Sequence, residues 1–157
     1  MHDDYIIRNA SNEDGKSVQQ VVFSVLREYG LRPDEHGKDS DLSNIELNYF
    51  SNNGYFGIVE FKPDGSIVGT FGLIRIDEYT CELRKMYLLK QARGKGVGKA
   101  MLEHAIQVAH EKKYRRIILE TISPLKEAIS LYRKRGFKEM PSADINDRVD
   151  QAFQLTI

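Results

Sequence analysis

The sequence contains very little cysteine, and Cys81 is the only one among 157 residues. A single cysteine allows no internal disulfide and no cysteine-based metal cluster. The four histidines, His2, His36, His104 and His110, show no spacing that would place two of them on one helix face in a metal motif. We therefore expect a protein that binds no metal.

The sequence also lacks an excess of charge of either sign and a long apolar run. Its 23 acidic and 23 basic side chains cancel, which argues against a general nucleic-acid-binding protein. No apolar run approaches the roughly 20 residues that cross a bilayer, and the start, MHDDYIIRNA, has no basic segment followed by an apolar one. We expect a cytoplasmic protein whose partners include neither nucleic acid nor a membrane.

The hydrophobic pattern alternates between the periods of strands and helices. The 3.6-residue period of an amphipathic helix is followed by an apolar face of Val18, Val21, Val22, Val25, Leu26 and Tyr29. The β-rich runs YFGIVEF and SIVGTFGLIRI flank KPDG, which predicts a hairpin. The complete pattern predicts the order βα(α)βββαβαββ within one domain over 1–157, a mixed α/β (α+β) fold in which helices cover a sheet. A last strand left at the sheet edge could pair with a second copy of the chain and form a homodimer.

Three glycines alternate with basic residues in LLKQARGKGVGKAMLEHA, residues 88–105. A strand-like run ends in this stretch, and a helix is predicted to begin near Val97. The start of a helix offers unpaired N–H groups and a partial positive charge, and glycines let the backbone come close to an anion. The pattern predicts a phosphate-bearing ligand, although Lys95 and Lys99 are equally compatible with solvated surface charges.

The spacing of this glycine loop excludes two common phosphate-binding motifs. A P-loop needs a serine or threonine after the lysine and a glycine five positions before Gly98, but Ala100 follows Lys99 and Arg93 occupies the earlier position. A dinucleotide fingerprint needs a third glycine, and Lys99 or Met101 stands there, depending on which glycine begins the motif. Neither ATP nor a dinucleotide fits the pattern.

A third pattern, Q/R-x-x-G-x-G/A, is met at every fixed position by QARGKG, residues 91–96. Further along, LYRKRGF, residues 131–137, matches the segment LYxxxGF. With these two segments at the right distance, residues 81–140 resemble the GNAT superfamily of acetyltransferases. The resemblance implies a mixed, mostly antiparallel central sheet of about six to seven strands flanked by about four helices, and acetyl-CoA as co-substrate.

The resemblance also implies which residues hold acetyl-CoA. A strand end would pair through its backbone with the pantetheine arm, and the loop amides would hold the pyrophosphate. Family members commonly carry an asparagine before the last helix, and here Ser123 or Lys126 stands in its place. The implied cofactor-binding residues are Met86, Tyr87, Leu88, Gln91, Arg93, Gly94, Lys95, Gly96, Val97, Gly98, Lys99 and Ser123.

For catalysis, the resemblance assigns Tyr132 as the acid that protonates the departing thiolate, while its place in the apolar stripe of a helix is equally typical of a core residue. Glu82 is the candidate base for the amine, with Glu120 or a water molecule as alternatives. Cys81 has no nearby basic partner in the sequence, so we expect a small buried hydrophobe rather than an acyl-accepting nucleophile.

The predicted function is direct transfer of an acetyl group from acetyl-CoA to a primary amine. A small molecule or a peptide could supply that amine, and the balanced charge does not select between them. The alternative from another class is a module that binds coenzyme A or senses a ligand with the same fold and has lost catalysis.

Overall fold

The computed structural model describes residues 2–142 and 145–157. Within these residues the predicted order of strands and helices is confirmed. The strands are β1 (Tyr5–Asn9), β2 (Tyr55–Phe61), β3 (Ser66–Arg75), β4 (Thr80–Leu88), β5 (Arg116–Thr121), β6 (Lys138–Met140) and β7 (Gln151–Thr156). The helices are α1 (Gly15–Glu28), α2 (Ile45–Asn48), α3 (Val97–Glu111) and α4 (Lys126–Arg135).

The seven strands form one sheet in the order β1-β2-β3-β4-β5-β7-β6. All neighbours are antiparallel except β4 and β5, which run parallel, so the mostly antiparallel sheet is confirmed. The expectation that the last strand is an exposed edge is wrong. Strand β7 pairs with β5 from Gln151 to Thr156 and with β6 on its other side. The edge is the short strand β6, because the chain turns back after it and inserts β7 between β6 and β5.

Helices cover both faces of the sheet, as the alternation of side chains along the strands requires. On β2, Tyr55 and Val59 belong to the buried cluster that includes α3 and α4, while Phe56 and Ile58 belong to the cluster that includes α1 and α2. Helix α1 buries the predicted stripe Val18, Val21, Val22, Val25 and Leu26. The apolar stripe of α1 is therefore the side of the helix that is buried.

Strands β4 and β5 separate partway along their length. Their ladder joins Thr80–Leu83 to residues 116–119. Beyond it, β4 remains paired with β3 up to Leu88, and β5 remains paired with β7 up to Thr121. Between the two strands, the described ladders leave an edge of β4 without a strand partner from residue 84 onward. This opening in the middle of the sheet is where a ligand can add its own hydrogen bonds.

A bulge in β4 marks the start of the opening. Lys85 and Met86 on β4 lie opposite the single residue Phe71 on β3. Lys85 has the left-handed backbone angle φ 53°, and its carbonyl accepts a hydrogen bond from the Thr70 hydroxyl at 2.7 Å. Bulges bend a strand and redirect its side chains, so the chain beyond Lys85 turns away from β5.

Among residues 2–142 and 145–157, the helices are all too short or too polar to traverse a lipid bilayer.

Candidate functional site

A cavity of about 590 Å³ opens where β4 and β5 separate. The glycine loop (residues 91–99), β4, β5 and α4 contribute to its walls, together with the loops that precede α2 and β7. Several predicted site residues line it together: Glu82, Met86, Tyr87, Leu88, Arg93, Gly94, Gly96, Gly98, Lys99 and Tyr132. Residues that are 50 positions apart in the sequence thus share one cavity.

The glycine loop adopts backbone angles that suit close contact with a ligand. Gly94 and Gly96 have φ values of 75° and 79°, in the left-handed region that favours glycine. A Cβ added at Gly94 would meet no atom within 4 Å, so the protein itself does not fill the space above this residue. Gly96 is the N-cap of α3, and the first amides of that helix, from Val97 to Lys99, have no carbonyl of a preceding turn to bond. The loop can therefore bind an anion through its backbone.

The polar side chains of the loop mainly brace the loop itself. The guanidinium of Arg93 donates to both carboxylate oxygens of Glu28 at 2.7 and 2.8 Å, and its Nε donates to the Leu88 carbonyl at 2.9 Å. Lys95 Nζ donates to the Gln91 carbonyl at 2.8 Å. Val97 is buried in the core. These contacts fix the loop between α1 and β4, and they reduce the charge that Arg93 offers to a ligand.

Met86, Tyr87 and Leu88 form the part of β4 that faces the opening, and all three line the cavity. Their backbone lies beyond the last pair of the β4–β5 ladder. The carbonyl of Leu88 is already bonded to Arg93. Burial raises the pKa of the Tyr87 hydroxyl to about 12, against a smaller opposing effect of Arg148. Because the Leu88 carbonyl already has a partner, an extended ligand can pair with the strand edge through the backbone of Met86 and Tyr87.

Tyr132 is a core residue that also lines the cavity. Its side chain is only 5% exposed, and its ring packs against Phe137 and Phe153 at centroid distances of 5.7 and 6.4 Å. The chain turns at the end of α4, where the Phe137 amide donates to the Tyr132 carbonyl. Burial, reinforced by nearby Tyr87, raises the pKa of the Tyr132 hydroxyl above the ordinary value of a phenol. A core tyrosine in the cavity wall thus keeps its proton at neutral pH.

Glu82 and Glu120 both line the cavity. Glu82 lies opposite Ile118 in the parallel ladder, so Glu120, two residues further along β5, projects from the same face of the sheet. Glu82 is 8% exposed, and its carboxylate accepts a hydrogen bond from Arg84. Glu120 accepts one from the Ser142 hydroxyl at 3.4 Å. The geometry therefore provides two carboxylates, and either could serve as a base.

Other predicted residues lie away from the cavity walls. The Ser123 amide and hydroxyl both donate to Asp150, at 2.9 and 2.8 Å, so the serine is engaged with the segment before β7. Cys81 is fully buried, and burial raises the pKa of its thiol to about 12. Both observations agree with the expectation of a small buried hydrophobic residue. Among residues 2–142 and 145–157, no three His, Cys, Asp or Glu side chains are grouped to hold a metal ion.

Sequence reasoning missed a group of buried charges beside the cavity. Asp39 is 0% exposed, and its carboxylate accepts two hydrogen bonds from Arg148, at 2.8 and 2.9 Å. Lys85 Nζ lies 3.0 Å from Asp39 and 3.4 Å from Asp41. Burial alone would raise the pKa of Asp39, but the bonds from Arg148, the Asp34 amide and Lys85 lower it to about 2.

Lys85 and Arg148 both line the cavity. They belong to what we term its polar wall, formed by Lys38, Glu82, Arg84, Lys85 and Arg148. Asp39 and Arg148 are 109 positions apart in the sequence. The stretch around Asp39 has the polar composition of a surface loop, and no spacing rule connects it to Arg148. Only a known contact between the two loops could have identified the pair.

Comparison with known proteins agrees with this geometry. The model of the acetyltransferase (GNAT) family matches residues 21–137. The chain is 34% identical over 143 residues to the uncharacterized N-acetyltransferase YjgM of Escherichia coli, which covers 88% of this chain and 84% of that protein.

Solved structures share the fold over nearly the whole chain. A GNAT-family acetyltransferase from Staphylococcus aureus matches with a TM-score of 0.87 and 27% identity, over 97% of this chain and 98% of that one. A GNAT phosphinothricin acetyltransferase from Sinorhizobium meliloti, crystallised with acetyl-CoA, matches with a TM-score of 0.77 and 18% identity, over 98% of this chain and 89% of that one. With the family match spanning most of its length, this chain belongs to the GNAT family of acetyltransferases.

Proposed function

We propose that the protein is an N-acetyltransferase that moves an acetyl group from acetyl-CoA directly to a primary amine. One observation carries the proposal: the edge of β4 that β5 leaves unpaired leads straight into the glycine loop at the start of α3, and Tyr132 lines the same cavity. In coenzyme A, an extended pantetheine arm leads to a pyrophosphate, which matches the order of the strand edge and the glycine loop. Family membership and the acetyl-CoA complex of the Sinorhizobium enzyme support the same donor.

The residues present fit coenzyme A. The backbone of Met86 and Tyr87 would bond the pantetheine arm, and the amides of Gly94 to Lys99 would hold the pyrophosphate, as the space above Gly94 permits. Arg93 would act mainly by holding the loop in place, since Glu28 and the Leu88 carbonyl already occupy its guanidinium. Bound acetyl-CoA supplies the acetyl group as a reactive thioester.

Tyr132 would donate a proton to the departing thiolate. Burial raises the pKa of its hydroxyl, so the proton is in place at neutral pH, and the packing of its ring against Phe137 fixes its direction. A positioned acid of this kind typically contributes about 10²- to 10⁴-fold in rate. Glu82 would take a proton from the attacking amine, directly or through water, with Glu120 as the competing candidate.

The acceptor would enter beside the polar wall, where the carboxylates of Glu82 and Glu120 line the cavity. Carboxylates favour a cationic amine while it binds, and one of them removes the proton that the nucleophile must lose. A small molecule or the side chain of a peptide can meet these requirements.

Two measurements test the proposal. Calorimetric titration with acetyl-CoA should give saturable binding, and a panel of amines assayed by thiol release should contain at least one acceptor. In Tyr132→Phe, kcat should fall about 100-fold or more, while the Kd for acetyl-CoA stays within about twofold. Tyr114→Phe is the matched control, because Tyr114 is equally buried and bonds the Asn53 carbonyl outside the cavity walls.

The paired variants Glu82→Gln and Glu120→Gln identify the base, because only the loss of the working base should lower kcat at neutral pH. Absence of acetyl-CoA binding would rule out the proposed function. Binding with no turnover of any amine would instead favour a module that binds coenzyme A without catalysis. Equal turnover in Tyr132→Phe would remove Tyr132 from the mechanism.

A further inference from the structure

Three separate segments of the chain meet at the buried carboxylate of Asp39. Its own segment is the loop between α1 and α2, residues 29–44. The bulge of β4 contributes Lys85, whose Nζ lies 3.0 Å away, and the segment before β7 contributes Arg148, which bonds both carboxylate oxygens. Asp39 also accepts the Asp34 amide at 2.8 Å, which closes its own loop into a tight turn. The carboxylate thus joins three segments that the sequence keeps far apart.

Asp39 does not line the cavity, but Lys85 and Arg148 do. Both cations have a further partner in the protein besides Asp39. Arg148 also donates to the Arg32 carbonyl at 2.6 Å, and Lys85 also donates to the Lys38 carbonyl at 3.1 Å. Because Asp39 pairs with both charges and backbone carbonyls accept further bonds from them, these side chains form a fixed surface of the cavity.

We place this surface on the acceptor side of the proposed site, because Glu82 belongs to the same polar wall. Along β4, Lys85 separates Glu82, a candidate base, from Met86 to Leu88, the edge proposed for coenzyme A. The partners that bond Asp39 lie outside the glycine loop and α4. Disturbing Asp39 should therefore change the surroundings of the amine and leave the backbone cradle for acetyl-CoA in place.

We infer that Asp39 is a positioning residue for the acceptor: by holding Lys85 and Arg148 together, it fixes the part of the cavity wall against which the amine is oriented. The inference rests on the proposed function, because it concerns the acceptor of that reaction. Misplacement of a positioned group by about 1 Å can cost about 100-fold in rate, so a carboxylate that acts only through its neighbours can still govern turnover.

The chain offers a matched control one residue along each segment. Lys38 Nζ and Asp147 form an ion pair at 2.9 Å that joins the same two loops as Asp39 and Arg148. Their side chains are 46% and 68% exposed, against 0% and 12% for Asp39 and Arg148. Asp147→Asn therefore removes a carboxylate of the same type between the same segments, but at the surface.

The test uses the full chain and the amine from the panel that the unaltered protein turns over fastest. We expect Asp39→Asn to raise the KM for that amine about tenfold or more, with the Kd for acetyl-CoA within about twofold. Asp147→Asn should leave both constants within about twofold. Arg148→Gln keeps Lys85 beside Asp39 and should retain the fold while raising the KM, and Arg148→Lys should recover part of the loss.

Hydrogen exchange of residues 29–44 and 145–150, measured without any ligand, provides a second reading. Faster exchange in both segments of Asp39→Asn, together with a higher KM, supports the inference. Faster exchange with an unchanged KM would show that Asp39 only stabilises the two segments, and it would overturn the inference. A parallel rise in the KM and in the Kd for acetyl-CoA would overturn it as well, because the effect would then not be confined to the acceptor.

The unaltered protein separates this inference from the proposed function. If it binds acetyl-CoA but acetylates no amine, the proposed function fails before any variant is compared, and the inference about the acceptor fails with it. If it acetylates an amine and the Asp39 variants retain its KM, the function stands and the role of Asp39 is rejected.

Discussion

The glycine loop and the polar wall border the same cavity but are built from different kinds of groups. The loop offers backbone amides at the start of α3, shaped by Gly94 and Gly96. The polar wall consists of side chains whose charges are paired within the protein, as Asp39 pairs with Arg148. A backbone site is encoded within a few consecutive residues. A side-chain wall depends on contacts such as this one, which joins residues 109 positions apart.

The largest effect should come from removing the buried carboxylate of Asp39, which holds Lys85 and Arg148 of the polar wall together. Asp39→Ala leaves Lys85 and Arg148 without their shared partner, and removal of one member of a buried ion pair typically costs about 3–5 kcal/mol of unfolding free energy. Asp147→Ala, at the exposed pair, should cost less than about 1 kcal/mol. Urea unfolding measures both. Equal losses of unfolding free energy in the two variants would show that burial does not strengthen the ion pairs of Asp39.

A side chain added to the glycine loop should weaken acetyl-CoA binding more than it lowers the stability of the fold. Gly94→Val and Gly65→Val meet the same conditions, since both glycines have φ near 70° (75° and 72°) and a Cβ at either would meet no atom within 4 Å. Both variants should lose a similar stability of about 1–2 kcal/mol. Only Gly94→Val should weaken acetyl-CoA binding, by roughly 100-fold or about 2.8 kcal/mol, because its side chain enters the proposed ligand space. Equal Kd values in calorimetry would remove Gly94 from the site.

Acid should weaken the polar wall before it affects the loop backbone. The pKa of Asp39 is about 2 in the folded protein, below its ordinary value of 3.8. A carboxyl group with a lowered pKa adds stability at higher pH, and the unfolded chain takes up its proton first as the pH falls. The contribution of Asp39, about 2 kcal/mol, should therefore be present above about pH 4 and disappear as the pH approaches 2.

Comparison with Asp39→Asn isolates this contribution from those of the other carboxylates. The difference in unfolding free energy between the two proteins, measured by urea unfolding at a series of pH values, should shrink between about pH 4 and pH 2. A difference that does not depend on pH would mean that the ionised form of Asp39 is not favoured by folding.

The smallest effect should come from the arginine in the loop. Arg93→Lys keeps a positive charge but loses the fork that bonds Glu28 and the Nε donor to Leu88. We expect acetyl-CoA binding to weaken by only a few fold, because in the proposed binding mode the amides rather than this side chain hold the phosphates. Glu28→Gln, which leaves the guanidinium in place, should have a similar effect. A loss near 100-fold in Arg93→Lys alone would assign a direct phosphate contact to Arg93.

The sequence predicted the elements well because local patterns encode them. The stripe from Val18 to Leu26 and the turn KPDG specify a helix and a hairpin without help from the rest of the chain. The prediction for the last strand failed, because the order of strands depends on which edges pair and not on the pattern within β7. The roles of the individual site residues stay predictions, although ten of these residues line the same cavity.

The sequence by itself determined the family, the order of strands and helices and the loop that suits coenzyme A, because each depends on neighbouring residues with a fixed backbone geometry. Only the tertiary structure decided that β4 and β5 separate to open the sheet, and that Asp39 becomes buried between Lys85 and Arg148. The physical reason is that pairing of buried charges depends on distance in space. Residues separated by more than a hundred positions acquire that proximity only when the chain folds.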